Sequence, residues 1–346
     1  MRRSLSWNNE DRAGILNFQE VFSGGGIISA LQSFFFRIFY LCAMSVIFLI
    51  RLLPAPVGYW LCDRAASLSF WIDVKRRRRA LINVHNSLPD LSPAERTIIV
   101  KKCYRNLIRV GYEMVMVDRW LRPETLDSCA DFSELEKVSE VLSDRRGTIL
   151  MGAHFGNWEV AGVVMGLLGH PLTAVARGLD NPLFDGFLRK LRELFGIKVI
   201  SHRGAVRKGR RIVMDGGNLY FTADQHAREG RIWVPFLGKP VAWAKAPASL
   251  ARRMNVPIIV GVCRRVGPGF RFKATVFPPI FPDPDLPVRE DVGRMIQAYV
   301  RYLEACIREH PEEYLWLHRR WRSVPDGEEF MREDGTYVRH ATFTLE

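Results

Sequence analysis

The sequence predicts an α/β protein with a mainly parallel sheet flanked by helices, preceded by an N-terminal membrane-anchoring helix and a helical region. Three observations support this prediction. From Gly147 onward, short apolar runs alternate with amphipathic segments, the pattern of parallel strands joined by helical crossovers. Residues 27–53 are the most hydrophobic part of the chain, and residues 60–145 are helical in character.

The charge of the chain is the unusual feature of its composition. The 346 residues include 50 Lys+Arg against 37 Asp+Glu, a net charge of +13, whereas 48% hydrophobic and 25% charged residues are ordinary values that exclude disorder over most of the length. Such an excess favours polyanionic partners: nucleic acid, an anionic membrane surface, a phosphorylated substrate or an acidic carrier protein. The basic clusters are dispersed along the chain, which argues against a single basic tail.

The N-terminal part divides into two segments. Residues 1–26 are polar, end in three glycines, and are predicted to form a mobile arm. Residues 27–59 form a hydrophobic segment whose charge-free core, residues 38–50, is shorter than the about 20 residues needed to span a bilayer. Including residues 27–36 reaches that length only by tolerating Gln32 and Arg37. We expect a membrane-anchoring helix, spanning or interfacial; a buried core helix is the alternative.

The remaining elements follow in order. Residues 60–145 form the helical region, in which Ser92, Pro93 and Glu95 mark the start of a helix that continues to about residue 117. Residues 146–322 form the α/β core, and residues 323–346 a polar C-terminal tail. The predicted strands are residues 148–151, 172–176, 198–200, 219–222, 256–262 and 270–276. The predicted helices between and after them are residues 158–168, 183–195, 205–215, 242–254 and 291–309.

The strongest candidate for chemistry is the sequence from Gly152 to Glu159, at the end of the first predicted strand. Active sites of open α/β sheets lie at the carboxyl ends of strands, where His154 falls. A neutral imidazole there can accept a proton from a hydroxyl group that attacks an acyl carbonyl. Glu159 could orient the imidazole, Gly156 would permit a tight turn, and free N–H groups at the helix start could stabilise an oxyanion. A structural histidine at a helix start remains open on spacing alone.

The motifs resemble a known family. His154-Phe155-Gly156-Asn157-Trp158-Glu159 is similar to the H-x4-E motif of the bacterial late acyltransferases of lipid A biosynthesis, the lauroyl/myristoyl type, within the glycerolipid and lysophospholipid acyltransferase superfamily. Later blocks resemble the family in the same order and together cover about residues 30–322. They are Arg177 in residues 176–182, Ala223-Asp224-Gln225 followed by residues 234–238, Val256-Pro257-Ile258-Ile259, and the closing residues 316–321.

The resemblance implies a glycerolipid acyltransferase-like fold and an O-acyltransferase reaction at the bacterial inner membrane. The cations that follow the hydrophobic segment, Arg51, Arg64 and residues 75–79, favour a catalytic domain on the cytoplasmic face. The resemblance also implies an acyl-carrier-protein thioester as donor and a phosphorylated lipid A precursor as acceptor, with no cofactor and no metal. His154 would be the general base, Glu159 its orienting partner and Arg177 the phosphate ligand. Asn157, Asp224 and Gln225 would bind substrate or order the site, although turn capping by the last two is an equal alternative.

Other functions explain only part of the sequence pattern. A lysophospholipid or other membrane lipid as acceptor would preserve the chemistry, and residues 243–247 depart from the family in a way that is expected to alter the acceptor pocket. A nucleic-acid or anionic-membrane binding protein would explain the charge but not the ordered blocks, and no nucleic-acid partner is expected. A serine hydrolase is disfavoured because the sequence has no G-x-S-x-G motif. Six dispersed cysteines without CxxC spacing indicate buried thiols rather than a zinc site.

Overall fold

The computed structural model describes residues 27–144, 146–325 and 327–340, so the predicted arm of residues 1–26 lies outside the described residues. The helices are α1 (Ile27–Leu52), α2 (Ala55–Ile72), α3 (Val74–Ser87), α4 (Pro93–Trp120), α5 (Leu126–Cys129), α6 (Ser139–Ser143), α7 (Trp158–Leu167), α8 (Pro182–Glu193), α9 (Ala205–Met214), α10 (Ala246–Met254) and α11 (Val288–Glu309). The strands are β1 (Ala130–Asp131), β2 (Thr148–Gly152), β3 (Leu172–Ala176), β4 (Lys198–Ser201), β5 (Asn218–Thr222), β6 (Arg231–Phe236), β7 (Lys239–Ala244), β8 (Ile258–Arg265), β9 (Phe272–Val276), β10 (Glu329–Met331) and β11 (Tyr337–Arg339).

A seven-stranded sheet organises the α/β core in the order β1-β9-β8-β2-β5-β3-β4. Every neighbouring pair in it is parallel except β8 and β9, which are antiparallel. The strand β2 is buried along its whole length between β8 and β5, as its uninterrupted apolar run requires. The predicted α/β class with a mainly parallel sheet is therefore confirmed.

Helices cover both faces of this sheet. Buried side chains of α7 and α8 and of the last turns of α4 pack in one cluster with one face of the sheet. Buried side chains of α9, α10 and α11 belong to a second, larger cluster, which also contains residues of α3 and the first half of α4. The helix α4 begins with the capping box predicted from Ser92 and Glu95, each side chain bonding the other residue's backbone N–H.

The helix α1 is long and apolar enough to cross a membrane by length and composition. The segment Gln32–Leu52 has a mean hydropathy of 2.1, and none of its most apolar stretch is buried inside the protein. A buried core helix, the alternative left open by the sequence, is not what the structure shows. At the end of α1, both guanidinium nitrogens of Arg51 donate at 2.8 Å to the carboxylate of Asp118, which joins α1 to α4.

A second sheet, in the order β11-β10-β6-β7, was not predicted. The strands β6 and β7 form a hairpin, so the helix expected from residue 242 begins only at Ala246, after a strand that ends at Ala244. Part of the predicted polar tail forms β10 and β11, and β10 pairs with β6. Trp243 was expected to alter the acceptor pocket; its side chain is instead almost fully buried in the core.

Candidate active site

The carboxyl ends of three adjacent strands bring the candidate residues together. His154 follows β2, Asp224 follows β5 and Arg177 follows β3, and these strands are neighbours in the order β2-β5-β3. Because all three are parallel, their carboxyl ends lie at one edge of the sheet. An open cavity of about 360 Å³ lies there, which we call the catalytic cavity, and its lining includes His154, Glu159, Arg177 and Gln225.

Asp224 and Gln225 bond the two ring nitrogens of His154. The Nδ1 atom lies 2.7 Å from the Asp224 carboxylate, and the Nε2 atom lies 3.2 Å from the Gln225 amide nitrogen. A carboxylate only accepts and an amide nitrogen only donates, so Nδ1 carries the proton and Nε2 presents its lone pair. This is the tautomer that a general base needs, with the unprotonated nitrogen at the cavity and the other held by a carboxylate whose side chain is 2% exposed.

The two groups shift each other's pKa in opposite directions. Burial lowers the pKa of His154, but the charge of Asp224 and its hydrogen bond, with a weaker effect of Glu159, raise that pKa to above its ordinary value. Burial raises the pKa of Asp224, and the facing imidazole outweighs it, so the Asp224 pKa is lowered. The carboxylate therefore stays ionised and stabilises the imidazolium that forms when His154 accepts a proton.

The structure gives the orienting position to Asp224 rather than to Glu159. Glu159 lies in the first turn of α7 and forms a two-bond ion pair with Arg192 of α8, at 3.0 Å to Nε and 2.7 Å to Nη2. Burial lowers the pKa of Arg192, but Glu159 outweighs it and raises that pKa. Glu159 lines the cavity and acts on His154 through its charge, without a hydrogen bond to the imidazole.

Asn157, expected to bind substrate, is fully buried. Its side-chain oxygen accepts from the backbone N–H groups of Glu159 and Val160 at 3.1 and 3.0 Å, which makes it the N-cap of α7. Its amide nitrogen donates to Glu113 at 2.7 Å. Every one of these contacts is internal, so Asn157 positions the turn between His154 and Glu159 and does not reach the cavity.

The same turn is joined to β8. Gly156 has a φ of +60°, and a Cβ at this position would lie 1.9 Å from the carbonyl oxygen of Cys263. The N–H of Gly156 donates to Glu313 at 3.0 Å and that of Asn157 to Cys263 at 2.7 Å. The N–H groups of Glu159 and Val160 already donate to the N-cap side chain. All four of these N–H groups are therefore bonded within the protein, and none of them is available to stabilise the oxyanion that the sequence analysis placed at this helix start.

A buried charge network lies behind the turn. Glu113 of α4 is fully buried, receives the Asn157 amide, accepts from Tyr59 at 3.1 Å and pairs with Arg265. Burial lowers the pKa of Arg265, but the charge and hydrogen bond of Glu113 raise it above its ordinary value. Each buried charge is thereby paired, as burial in an apolar interior demands.

Two aromatic rings pack edge-on against the imidazole of His154. The ring of Trp158 lies 4.9 Å from that of His154, and the ring of His318 lies 5.3 Å from it, both at steep angles. Burial, followed by the positive charge of His154, lowers the pKa of His318 to about 4, so His318 is neutral at pH 7. The sequence pointed to residues 316–321 as a motif but gave His318 no role, and it gave no signal for Arg192 or Glu113.

Arg177 is the exposed cation of the cavity. Its side chain is 75% exposed, and its ion-pair partner Asp180, at 3.7 Å, is 94% exposed. A pair so open to water is weak, so the guanidinium can exchange Asp180 for a ligand. The planar fork of a guanidinium suits bidentate binding of a phosphate.

A small apolar cavity of about 70 Å³ adjoins the catalytic cavity. Its lining is almost entirely hydrocarbon, with residues from β2, β8, β9 and α7 and from the segment between β1 and β2. Gly162, Leu172 and Tyr220 line both cavities, so the two are neighbours across these three residues. Among the residues that the structure describes, no group of three or more His, Cys, Asp or Glu side chains is arranged to hold a metal.

Comparison with known proteins agrees with these motifs. A sequence profile of the family described as "Bacterial lipid A biosynthesis acyltransferase" matches residues 32–323. The chain is 26% identical to the lipid A biosynthesis lauroyltransferase of Escherichia coli K12 over 290 residues, covering 82% of this chain and 91% of the relative. It is 26% identical to the palmitoleoyltransferase of the same organism over 297 residues, covering 82% of this chain and 91% of the relative. It is 25% identical to the myristoyltransferase of that organism over 254 residues, covering 73% of this chain and 77% of the relative.

Proposed function

The chain belongs to the bacterial lipid A biosynthesis acyltransferase family, and from this premise we propose a specific reaction for it. The enzyme moves a fatty acyl chain from an acyl-carrier-protein thioester to a hydroxyl group of a phosphorylated lipid A precursor. The observation that carries the proposal is the bonding of His154, whose unprotonated Nε2 is directed to the catalytic cavity while Asp224 holds Nδ1. This arrangement serves any reaction that begins with deprotonation of a hydroxyl group.

The chemical step needs no covalent acyl-enzyme. The acceptor hydroxyl displaces the Gln225 amide from Nε2 of His154 and gives its proton to that nitrogen as its oxygen attacks the thioester carbonyl. The carbon–sulfur bond then breaks, and the imidazolium returns the proton to the departing thiolate. Asp224 stabilises the imidazolium between these two events, in the role that the sequence assigned to Glu159.

The acyl chain would occupy the apolar cavity. A hydrocarbon chain gains about 0.8 kcal/mol for each methylene it buries, and this cavity offers almost no polar surface. Because Gly162, Leu172 and Tyr220 line both cavities, a thioester carbonyl placed near His154 can direct its chain between these residues. The far wall of the apolar cavity, which includes Ala274 of β9, would then limit chain length.

Arg177 would bind a phosphate of the acceptor. It lies at the mouth of the catalytic cavity with only an exposed, weak ion pair to break. Glu159 and Arg192 line the same cavity and neutralise each other, which leaves Arg177 as the cation that an anionic acceptor meets. The site would work at the cytoplasmic face of the inner membrane, where α1 anchors the chain and the net charge of +13 attracts an anionic leaflet and an acidic carrier protein.

One assay tests the reaction and identifies the acceptor. The full-length chain in detergent is incubated with an acyl-carrier-protein thioester and either a tetra-acylated lipid A precursor or a lysophospholipid, and the products are analysed by mass spectrometry. We expect acylation of the lipid A precursor and a loss of at least about 10²-fold in the His154→Ala variant. Acylation of the lysophospholipid alone would establish the other acceptor class. Near-normal turnover by His154→Ala would contradict the proposed base.

A further inference from the structure

A third cavity, lined by cations, lies between α3 and the segment that follows α11. Its volume is about 460 Å³, and we call it the basic cavity. The residues that line it are Lys75, Arg78, Arg79, Ile82, Asn83, Arg319, Trp321 and Arg322. Five of the eight are cations and none is acidic, so the cavity carries a concentrated positive charge. It shares no lining residue with the catalytic cavity.

The fold assembles this charge from two distant parts of the chain. Lys75, Arg78, Arg79 and Ile82 recur at helical spacing and therefore lie on one face of α3. Arg319 and Arg322 come from the segment after α11, some 240 residues later in the sequence. Grouping these cations costs free energy, and a protein interior or surface cleft normally balances such charges with carboxylates.

No such balance is present in the described part of the chain. None of the five cations of the basic cavity has a carboxylate within ion-pair distance there, whereas their neighbour Arg76 pairs with Asp73 at 3.1 Å. Partial burial lowers the pKa of Arg79, the nearby charges of Arg319, Arg76 and Arg322 lower it further, and Asp73 offsets only part of this effect. The five cations without ion pairs and their remaining repulsion indicate that an anion from outside the chain completes the cavity.

The walls of the cavity are held in place without that anion. Asn83 is almost fully buried and donates to the carbonyl oxygens of Trp316 at 2.7 Å and His318 at 3.0 Å. Arg79 donates to the carbonyl oxygen of Leu317 at 3.3 Å. The cavity is therefore a formed site with a fixed spacing between α3 and residues 316–318, and this segment also carries the His318 ring that contacts His154.

The surroundings of the basic cavity indicate a lipid as the source of the anion. Exposed apolar side chains mark the end of α2 and the start of α3, with Trp71 65%, Ile72 69% and Val74 56% exposed, directly before Lys75. Ile82, 48% exposed, lines the cavity itself. Apolar surface beside a cluster of cations fits a molecule with a phosphate next to hydrocarbon, and a concave cavity does not fit the convex helical surface of an acidic protein.

We propose that the basic cavity is a binding site for the phosphate group of an anionic membrane lipid, distinct from the catalytic site. Two sources share this chemistry: a phospholipid of the surrounding bilayer and the phosphorylated glycolipid acceptor. Lys75, Arg78, Arg319 and Arg322, all exposed, would contact the phosphate, and Arg79 and Asn83 would hold the walls.

The test is a binding titration with the full-length chain in a neutral detergent. The probes are dihexanoyl phosphatidylglycerol, dihexanoyl phosphatidylcholine and acyl-carrier protein. The first variant is Arg78→Gln with Arg322→Gln, and the second is Lys75→Gln with Arg319→Gln. The matched control, Lys208→Gln with Arg211→Gln, removes the same charge from exposed positions of α9. Thermal unfolding of each variant verifies that its fold is retained.

We expect phosphatidylglycerol to bind the unaltered chain and the control equally, and each cavity variant to lose at least about tenfold in affinity, because each removes two charge-assisted contacts. If the deacylated, phosphorylated glucosamine disaccharide competes with phosphatidylglycerol, the site belongs to the acceptor glycolipid. If the disaccharide does not compete, the site belongs to a bilayer phospholipid. Equal binding of phosphatidylcholine, unchanged affinity in both cavity variants, or a loss confined to acyl-carrier protein would each overturn the proposal. His154→Ala should bind phosphatidylglycerol normally, so the result is separable from catalysis.

Discussion

Replacement of Asp224 by Asn tests the assignment of the orienting carboxylate. The variant preserves the size of the side chain and removes its charge, so the buried imidazolium loses its partner at 2.7 Å. Two unit charges about 4 Å apart attract each other by about 4 kcal/mol at an effective dielectric constant of about 20. At about 1.4 kcal/mol per factor of ten, that attraction corresponds to about 10³-fold in rate if the transition state holds a full imidazolium.

The assay is kcat/KM for acyl transfer by Asp224→Asn across pH, with Glu159→Gln as the comparison. Activity requires neutral His154, so kcat/KM rises with pH through the pKa of His154 in the free enzyme. Asp224 raises that pKa, so its loss should move the rising limb of the profile to lower pH while the plateau falls. We expect a smaller loss in Glu159→Gln, because Glu159 affects the imidazole only through its charge.

A larger loss of kcat/KM in Glu159→Gln than in Asp224→Asn would restore Glu159 as the orienting residue. A plateau within about twofold of the unaltered enzyme in Asp224→Asn would refute the role of Asp224, since the lost attraction to the imidazolium corresponds to about 10³-fold in rate. Rescue is informative in the same experiment. Asp224→Glu retains the charge with a longer side chain and should recover part of the pH shift even if the plateau stays low.

Three further predictions concern the acceptor, the donor and the support of the turn. Arg177→Gln should raise KM for the phosphorylated acceptor by about 10- to 100-fold, the effect of one lost charge-assisted contact, and leave KM for the thioester donor unchanged in steady-state kinetics. Ala274→Leu should fill part of the apolar cavity and lower kcat/KM for long acyl donors relative to shorter ones by about tenfold or more, measured by competition between two thioesters. Glu113→Gln should lower the free energy of unfolding by up to about 3–5 kcal/mol, because the buried Arg265 would lose its hydrogen-bonded carboxylate and keep only the Glu313 carboxylate at 3.5 Å; chemical denaturation measures it, and a loss below about 1 kcal/mol would contradict this role.

The sequence predicted six of the seven strands of the large sheet, all but the two-residue β1, because each of the six has a local signal. The apolar run of β2, the amphipathic pattern of α8 and the capping box of α4 all lie within a few neighbouring residues. The hairpin of β6 and β7 lacks such a signal. Both strands contain proline, and the two residues that connect them, Leu237 and Gly238, have φ of 49° and 80°. A leucine with positive φ is rare, so Leu-Gly does not identify a hairpin in the way that Asn-Gly does.

The partner of Glu159 could not be predicted because it depends on topology. Four residues separate His154 from Glu159 in the sequence, and this spacing suggested a pair. In the fold, α7 directs Glu159 toward α8 and Arg192, 33 residues away in the sequence. The carboxylate at His154 comes from β5, which is next to β2 only because of the strand order. A spacing motif identifies residues of one site, but the contacts among them depend on which strands are neighbours.

If α1 anchors the chain in the membrane, as proposed, its contacts place the bilayer beside the catalytic cavity. One contact joins Asn181, in the loop after Arg177, to the carbonyl oxygen of Phe36 at 3.2 Å, and another joins Arg51 to Asp118 at 2.8 Å. The helix is therefore held at two points against the domain that contains His154, beside the loop that borders the cavity mouth. A membrane anchor held in this way would do more than tether the enzyme, because it would fix which side of the catalytic domain faces the bilayer. A lipid acceptor could then reach the cavity from the membrane without exposing its acyl chains to water, which would cost about 0.8 kcal/mol for each methylene.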